Sequence, residues 1–237
     1  MARPKTKGTC AYCQGTFAKS GMARHLAVCP ERQPAIAPTS AYDVRLRPAQ
    51  WFHLHIEGVP NSEYWMHVEA PGDLSLADLD GFLRDIWLEC CGHLSAFYIN
   101  GESYTGDWDD DFDSQAMNVP LEQLLTPGLS FGHEYDFGST TELKLKVIGE
   151  RTGAMDRRGI NVLARNEPPE RKCALCDRPA TLVCPACNWH GENADAWVCD
   201  KHARAHPCGE EVLLPVVNSP RTGVCGYTGD QEFRGLA

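Results

Sequence analysis

Apolar and polar residues alternate from Phe52 to Glu57, with Phe52, Leu54 and Ile56 on one side and His53, His55 and Glu57 on the other. That period of two predicts a half-buried strand, and Tyr64–Glu69 reads as its partner. The period then becomes helical. Ser75 and Asp78 form a capping box, and Leu76, Leu79, Phe82, Leu83, Ile86 and Trp87 fall on one face of the helix that follows. Asn100-Gly101, a favoured two-residue hairpin turn, separates predicted strands at Ala96–Ile99 and Glu102–Thr105. Val119–Leu125 reads as a short helix stopped by Pro127-Gly128, and Glu134–Phe137 and Leu143–Ile148 as two strands joined through Gly138. Residues 49–150 are therefore expected to form an α+β domain, a mixed sheet with one main amphipathic helix. Trp51, Trp65, Trp87, Phe97 and Tyr98 are most simply its core.

On either side the periodicity fails. Pro30, Pro34, Pro38 and Pro48 mark residues 31–48 as a linker, and a second connector is expected over 151–170, ending at Pro168-Pro169. The α+β central domain is thus expected to be flanked by two small modules, at 1–30 and 171–215, with a tail at 216–237. The two ends have different cysteine spacings, so no internal repeat is read. At 237 residues and 43% apolar, the chain is long enough to bury a core. No stretch approaches the roughly 18 apolar residues of a membrane span, and MARPKTKGTC lacks the apolar region of a signal peptide, so no membrane contact and a cytoplasmic location are expected.

Charge is distributed unevenly. Residues 1–48 carry 8 basic and 2 acidic side chains, residues 49–150 carry 3 and 19, and residues 151–237 carry 11 of each. The acidic middle repels phosphate, so contact with DNA or RNA would have to come from the ends. Arg3, Lys5, Lys7, Lys19 and Arg24 favour nucleic acid for the first module, although five cations are also an ordinary solvated arm.

Most of the twelve cysteines fall in CxxC or CxxH pairs, which without an export signal points to metal rather than disulfides. Cys10-x2-Cys13 is followed after eleven residues by His25-x3-Cys29. The CxxC supplies two thiolates from one turn, and the His and Cys sit one helical turn apart. Four ligands leave no open position, so the zinc is structural. The segment resembles small C2HC zinc fingers, with Phe17 and Leu26 as its core. The alternative is a disordered tail with chance cysteines. Toward the other end stand Cys173-x2-Cys176, Cys184-x2-Cys187, Cys199-x2-His202 and His206-x-Cys208. Eight ligands in four pairs fit two zincs, giving about three for the chain. The spacing resembles cross-brace modules such as B-box fingers, in which pairs one and three share an ion, as do pairs two and four. That resemblance implies one site of Cys173, Cys176, Cys199 and His202 and another of Cys184, Cys187, His206 and Cys208, although a B-box usually has His where Cys208 stands. A single zinc ribbon from the two CxxC pairs is the alternative, and His190 is a possible substitute for Cys208. Cys225 has no partner in sequence and reads as a plain thiol.

Three further groups in the middle domain are weighed and set aside. Asp107, Asp109, Asp110, Asp111 and Asp113 fail the EF-hand pattern, since Phe112 stands where Gly is needed and Asn118 where Glu is needed, so a solvated loop is expected. Cys90, Cys91 and His93 suggest a thiol beside a base but lack an orienting third group, and packing is the better reading. His53 and His55 share a strand face, as metal ligands or as ordinary exposed polar residues. Finally, Trp51–Glu150 resembles the plasmid pRiA4b ORF-3-like family, some of whose members are labelled mobile-element passenger proteins. The likeness rests on the strand and helix above, His93-Leu94-Ser95-Ala96-Phe97-Tyr98-Ile99 with Gly101 and Tyr104, and Tyr135-Asp136-Phe137-Gly138. It implies an α+β fold and no established activity, and Ser139 and Thr141 depart from the family's Asp and Trp. The expectation is a zinc-binding, non-enzymatic interaction protein of mobile-element accessory type, meeting nucleic acid through the finger and protein through the C-terminal module. A metal-dependent enzyme centred on Asp136 and the Asp107–Asp113 loop, and a purely protein–protein adaptor, are the alternatives.

Overall fold

The structure is a computed structural model that describes residues 6–36, 48–106, 114–154, 159–188 and 194–229. Strands β1 (Lys7–Cys10) and β2 (Thr16–Ala18) and helix α1 (Lys19–Val28) make up the cysteine-bearing N-terminal segment, followed by the short α2 (Gln33–Ile36). Next come β3 (Pro48–Val59), β4 (Trp65–Pro71), α3 (Leu76–Leu83), β5 (Ser95–Ile99), β6 (Glu102–Thr105) and β7 (Gln115–Ala116). Helix α4 (Leu121–Leu124), β8 (Ser130–Tyr135), β9 (Thr141–Ala154) and β10 (Asn161–Asn166) complete the central part, and β11 (Leu182–Val183), β12 (Trp197–Val198) and β13 (Leu214–Pro215) form a separate small sheet. The large sheet has ten strands in the order β2-β1-β10-β4-β3-β9-β8-β5-β6-β7, antiparallel except for β6 and β7.

The mixed α+β class and the main helix emerge as the pattern predicts. Ser75 and Asp78 make the reciprocal capping bonds, and α3 continues through Arg84–Leu88 in a widened helical turn. Asn100 and Gly101 both have positive φ (54° and 90°), as a primed two-residue turn requires. Phe52, Leu54 and Ile56 face one side of the sheet with Met66 and Val68 and pack under Leu76, Leu79, Leu83 and Trp87 of the helix. Between helix and sheet, fully buried His133 on β8 meets Asp80 of α3 at 2.8 Å. Burial alone would raise the Asp80 carboxyl, but the bond to His133 and the Arg84 guanidinium hold it below the usual range.

The other face of the sheet departs from expectation. His53 and His55 are half-buried rather than an exposed polar face; every residue of neighbouring β4 is buried, and its Trp65 packs against Met22 and Leu26 of the N-terminal segment. Strand β1 extends the large sheet by pairing with β10, Gly8 opposite Asn166, and β10 lies in the stretch expected to be a connector. The apolar positions Val162 and Leu163, fully or nearly buried, give that stretch its strand character. Gly8 is needed there, since a Cβ would stand 2.6 Å from the Trp65 ring. Trp65 is core, but of a second cluster that it forms with Met22, Leu26, Cys10 and Leu163. Leu26 is thus fully buried as expected, while Phe17 only borders this cluster and stacks on His25 at 3.7 Å between ring centroids. Tyr98, expected in the core, is 43% exposed, because strand alternation turns it outward from buried Phe97 to reach Glu134.

A buried ion triad fastens the two parts. Glu69 on β4 accepts from Arg32 Nη2 at 2.7 Å and from Arg151 Nε and Nη2 at 2.8 and 2.6 Å, with Arg32 and Glu69 5% and 2% exposed. Removing the central carboxylate strands two guanidiniums, so Glu69→Gln is expected to destabilise the protein by about 3–5 kcal/mol in denaturant unfolding. Nearby, His53 Nε2 and His67 Nδ1 lie 2.9 Å apart. Burial lowers His53 and His55 to about 4 and His67 to about 2. Their folded values lie below the unfolded 6.5, so the unfolded chain binds more protons and stability is lost as pH falls from about 6.5 toward 4. Unfolding midpoints measured across that range are expected to fall less steeply in His55→Gln than in the parent chain.

Candidate metal centres

The expected ligands converge. Cys10, Cys13, His25 and Cys29 bring their donor atoms within 4.8 Å of one another, as do Cys173, Cys176, Cys199 and His202, and Cys184, Cys187, His206 and Cys208. In the first set β1 ends at Cys10 and the turn back from Cys13 is closed by Gln14 N–H donating to the Cys10 carbonyl. His25 sits in the last turn of α1 and Cys29 is its C-cap, so helical spacing aims both at the turn. In the second module Cys176 and His202 donate N–H to the carbonyls of Cys173 and Cys199, folding each CxxC or CxxH pair into one tight turn.

Distances test whether a zinc would fit. A tetrahedral ion with sulfur at about 2.3 Å and nitrogen at about 2.0 Å sets sulfurs about 3.8 Å apart and sulfur to nitrogen about 3.5 Å. In the N-terminal set Cys10 and Cys29 Sγ are 3.9 Å apart, and Cys13 Sγ is 3.4 Å from His25 Nε2. Cys176 and Cys199 Sγ are 3.8 Å apart, with His202 Nδ1 at 3.3 and 3.5 Å from Cys173 and Cys199. Cys187 lies 3.6 Å from Cys208 Sγ and 3.5 Å from His206 Nε2. The separations are too long for disulfides, which need about 2.05 Å. Without a cation the thiols of one set do not ionise together: the Cys187 thiol is pushed up to about 12 by its bond with Cys208 and by burial, whereas Cys173, despite burial, is lowered to about 7 by backbone N–H groups and its thiol neighbours. The donor sets, three thiols and one imidazole each, are what a structural zinc takes.

This pairing is the cross-brace arrangement, and a ribbon built from the two CxxC pairs is not formed: Cys173 and Cys176 lie with the third pair, not with Cys184 and Cys187. Arg178 donates to Cys199 Sγ at 3.1 Å, an outer contact that favours the thiolate. His190 and the Asp107–Asp113 run lie outside the described residues.

A fourth group was not expected. Cys90, Cys91, His93 and Cys225 also bring their donor atoms within 4.8 Å, so Cys225 is not an isolated thiol. The signal is faint in sequence because Cys225 lies 134 residues from Cys91. Four Cys/His clusters compatible with metal binding are therefore present among the described residues.

Asp136, around which an enzyme site was weighed, is occupied. Its backbone has φ 65°, its Oδ1 accepts from the N–H groups of Gly138 and Ser139, and its Oδ2 accepts from Arg221 at 2.6 Å. Burial would raise this carboxyl, and Arg221 with the two N–H groups holds it low instead. A cleft of about 650 Å³ opens beside Asp80, Arg84, His93 and Ser95. Arg84 is spent there on Asp80, Glu89, the His93 carbonyl and Ser95. Of the basic arm, Arg3 and Lys5 lie outside the described residues, and Lys19 is paired with Glu57 and the Ser62 carbonyl.

No protein-family model matches the chain, so the plasmid ORF-3-like resemblance rests on the quoted residues alone. No curated protein matches it. One similar solved structure is the crystal structure of a protein of unknown function, MM3350, from Methanosarcina mazei Go1, with 16% identity, TM-score 0.44, and coverage of 49% of this chain and 70% of that one. The likeness assigns no function. Among the described residues no helix is long and apolar enough to cross a membrane.

Cross-brace pairing makes Cys199 a ligand and a ribbon makes it a bystander. Cys199→Ser is expected to lower the zinc content of the purified chain by one ion, measured by elemental analysis.

Proposed function

We propose that this protein is a zinc-stabilised, non-enzymatic interaction protein that uses its finger toward nucleic acid and its C-terminal module toward protein. The observation that carries the reading is the closed donor set: each expected site supplies three sulfurs and one nitrogen, and a zinc so held has no position left for water or substrate. Zinc at these sites then does the work of a core. The small clusters around Ala180, Val183 and Trp197, and around Cys173 and Val198, are too slight to hold residues 171–215 alone.

Two apolar side chains support a protein partner. Leu175, inside the Cys173–Cys176 turn, is 59% exposed, and Val212 is 38% exposed. For the finger, Arg24 and Lys7 remain as described cations. The middle segment's strong negative charge leaves phosphate contact to the ends of the chain, of which this one carries the excess of basic residues. A mobile-element accessory role belongs to the same proposal and is supported only by the motif resemblance. The enzyme alternative has lost Asp136 as a free carboxylate, since both its oxygens are engaged.

Binding of short DNA and RNA duplexes and single strands, followed against salt, tests the finger. The expected result is an affinity that falls as salt rises and is lost in a chain carrying Lys7→Gln and Arg24→Gln. Absence of binding at low salt removes nucleic acid from the reading and leaves the adaptor. Hydrolytic or other turnover that depends on added metal would overturn the non-enzymatic assignment.

A further inference from the structure

We propose that Cys90, Cys91, His93 and Cys225 form a fourth structural zinc site, which clamps the C-terminal segment onto the central sheet. The proposal adds a site and does not depend on what the protein binds.

Composition is the first argument. The chain has twelve cysteines, and the four clusters use all twelve, three to a cluster, each with one histidine. Chance grouping of leftover thiols has no reason to repeat the donor set of the other three. Geometry is the second. Cys91 and Cys225 Sγ are 3.7 Å apart and Cys225 Sγ is 3.7 Å from His93 Nε2, close to the edges of a zinc tetrahedron and too long for a disulfide.

The imidazole is also available. Asp136 Oδ2 stands 3.6 Å from His93 Nε2, beyond hydrogen-bond reach. That oxygen is taken by Arg221 at 2.6 Å, and Oδ1 by the Gly138 and Ser139 N–H groups. The Nε2 atom is thus left facing the thiols. Arg221, fully buried, also approaches Cys90 Sγ at 3.4 Å. Three thiolates on one zinc carry a net charge of −1, and a guanidinium against one of them offsets it, as Arg178 does at Cys199.

The backbone delivers these groups from two places. The widened turn at the end of α3 releases the chain at Glu89, Cys90 and Cys91 follow, and Gly92 with φ 72° turns it into His93 ahead of β5. Cys225 comes from the segment after β13, which is already laid against the sheet. There Asn218 pairs with Asn166, Ser219 Oγ donates to the Trp87 carbonyl at 2.7 Å, and Arg221 reaches Thr141 and Asp136. A metal bond between residues 91 and 225 closes a very long loop, the situation in which a covalent or metal clip restricts the unfolded chain most.

The test uses the full chain, purified under reducing conditions. Elemental analysis is expected to give four zincs, with three in Cys225→Ser and three in His93→Gln. Brief alkylation of the unmodified protein, mapped by mass spectrometry, needs no variant and guards against misfolding. Cys91 and Cys225 are exposed, so the reagent reaches both sulfurs whenever no metal holds them. The proposal expects Cys90, Cys91 and Cys225 to stay unmodified until a chelator is added. A count of three with those cysteines alkylated freely overturns it, as does a count of four that persists in Cys225→Ser.

Discussion

Sulfur atoms held within contact distance of one another and of an imidazole nitrogen are the constraint on which this structure turns. Bare thiols gain little from such crowding, and bare thiolates repel, so each group calls for a cation at its centre. The spacing of the donors then dictates local backbone. The turns at Cys10–Cys13, Cys173–Cys176 and Cys199–His202 fold back on themselves, and α1 ends where His25 and Cys29 must both face inward. Segments with hardly any apolar mass of their own acquire fixed shapes in this way.

Fixed shape allows them to be joined to the sheet by chemistry that would be unfavourable on a mobile arm. The triad of Arg32, Glu69 and Arg151 buries two charges beside a half-buried third, which is tolerable only where donors and acceptors are held in register. Lys19 with Glu57, and the Trp65 indole donating to Thr6 Oγ1, complete the junction. On the opposite side of the chain Arg171 does similar work, pairing with Glu63 while stacking 5.1 Å over Trp197. Charged side chains from the cysteine-rich ends meet acidic ones from the middle. The uneven charge along the sequence is therefore partly an internal matching.

Much of this was legible from residues alone, where the interactions are local. The capping box at Ser75, the turn at Asn100-Gly101 and the three expected donor sets depend on spacings of a few residues or on regular pairs. What escaped depends on distant partners. Cys225 reads as isolated because its companions are at 90–93. His53 and His55 read as exposed because the sequence does not announce that the N-terminal segment packs on Trp65 of the adjacent strand. Strand β10 is short, with Val162 and Leu163 between polar residues, and its place between β1 and β4 is what buries them. Tyr98 was misplaced for a different reason: two adjacent aromatics cannot both face inward on a strand, and Phe97 takes the core.

The pairing of β1 with β10 has a consequence for how the chain is made. Thr16 and Glu167, which hydrogen-bond across this junction, are 151 residues apart. At about 5–20 residues per second on the ribosome, the N-terminal strand waits on the order of 10–30 s for its partner. Its cysteines emerge early and can capture an ion at once, whereas the edge of β1 that pairs with β10 stays open until residue 166 has cleared the exit. For that interval the open edge of β1 is a template for pairing with a neighbouring chain, whether or not the ion is bound.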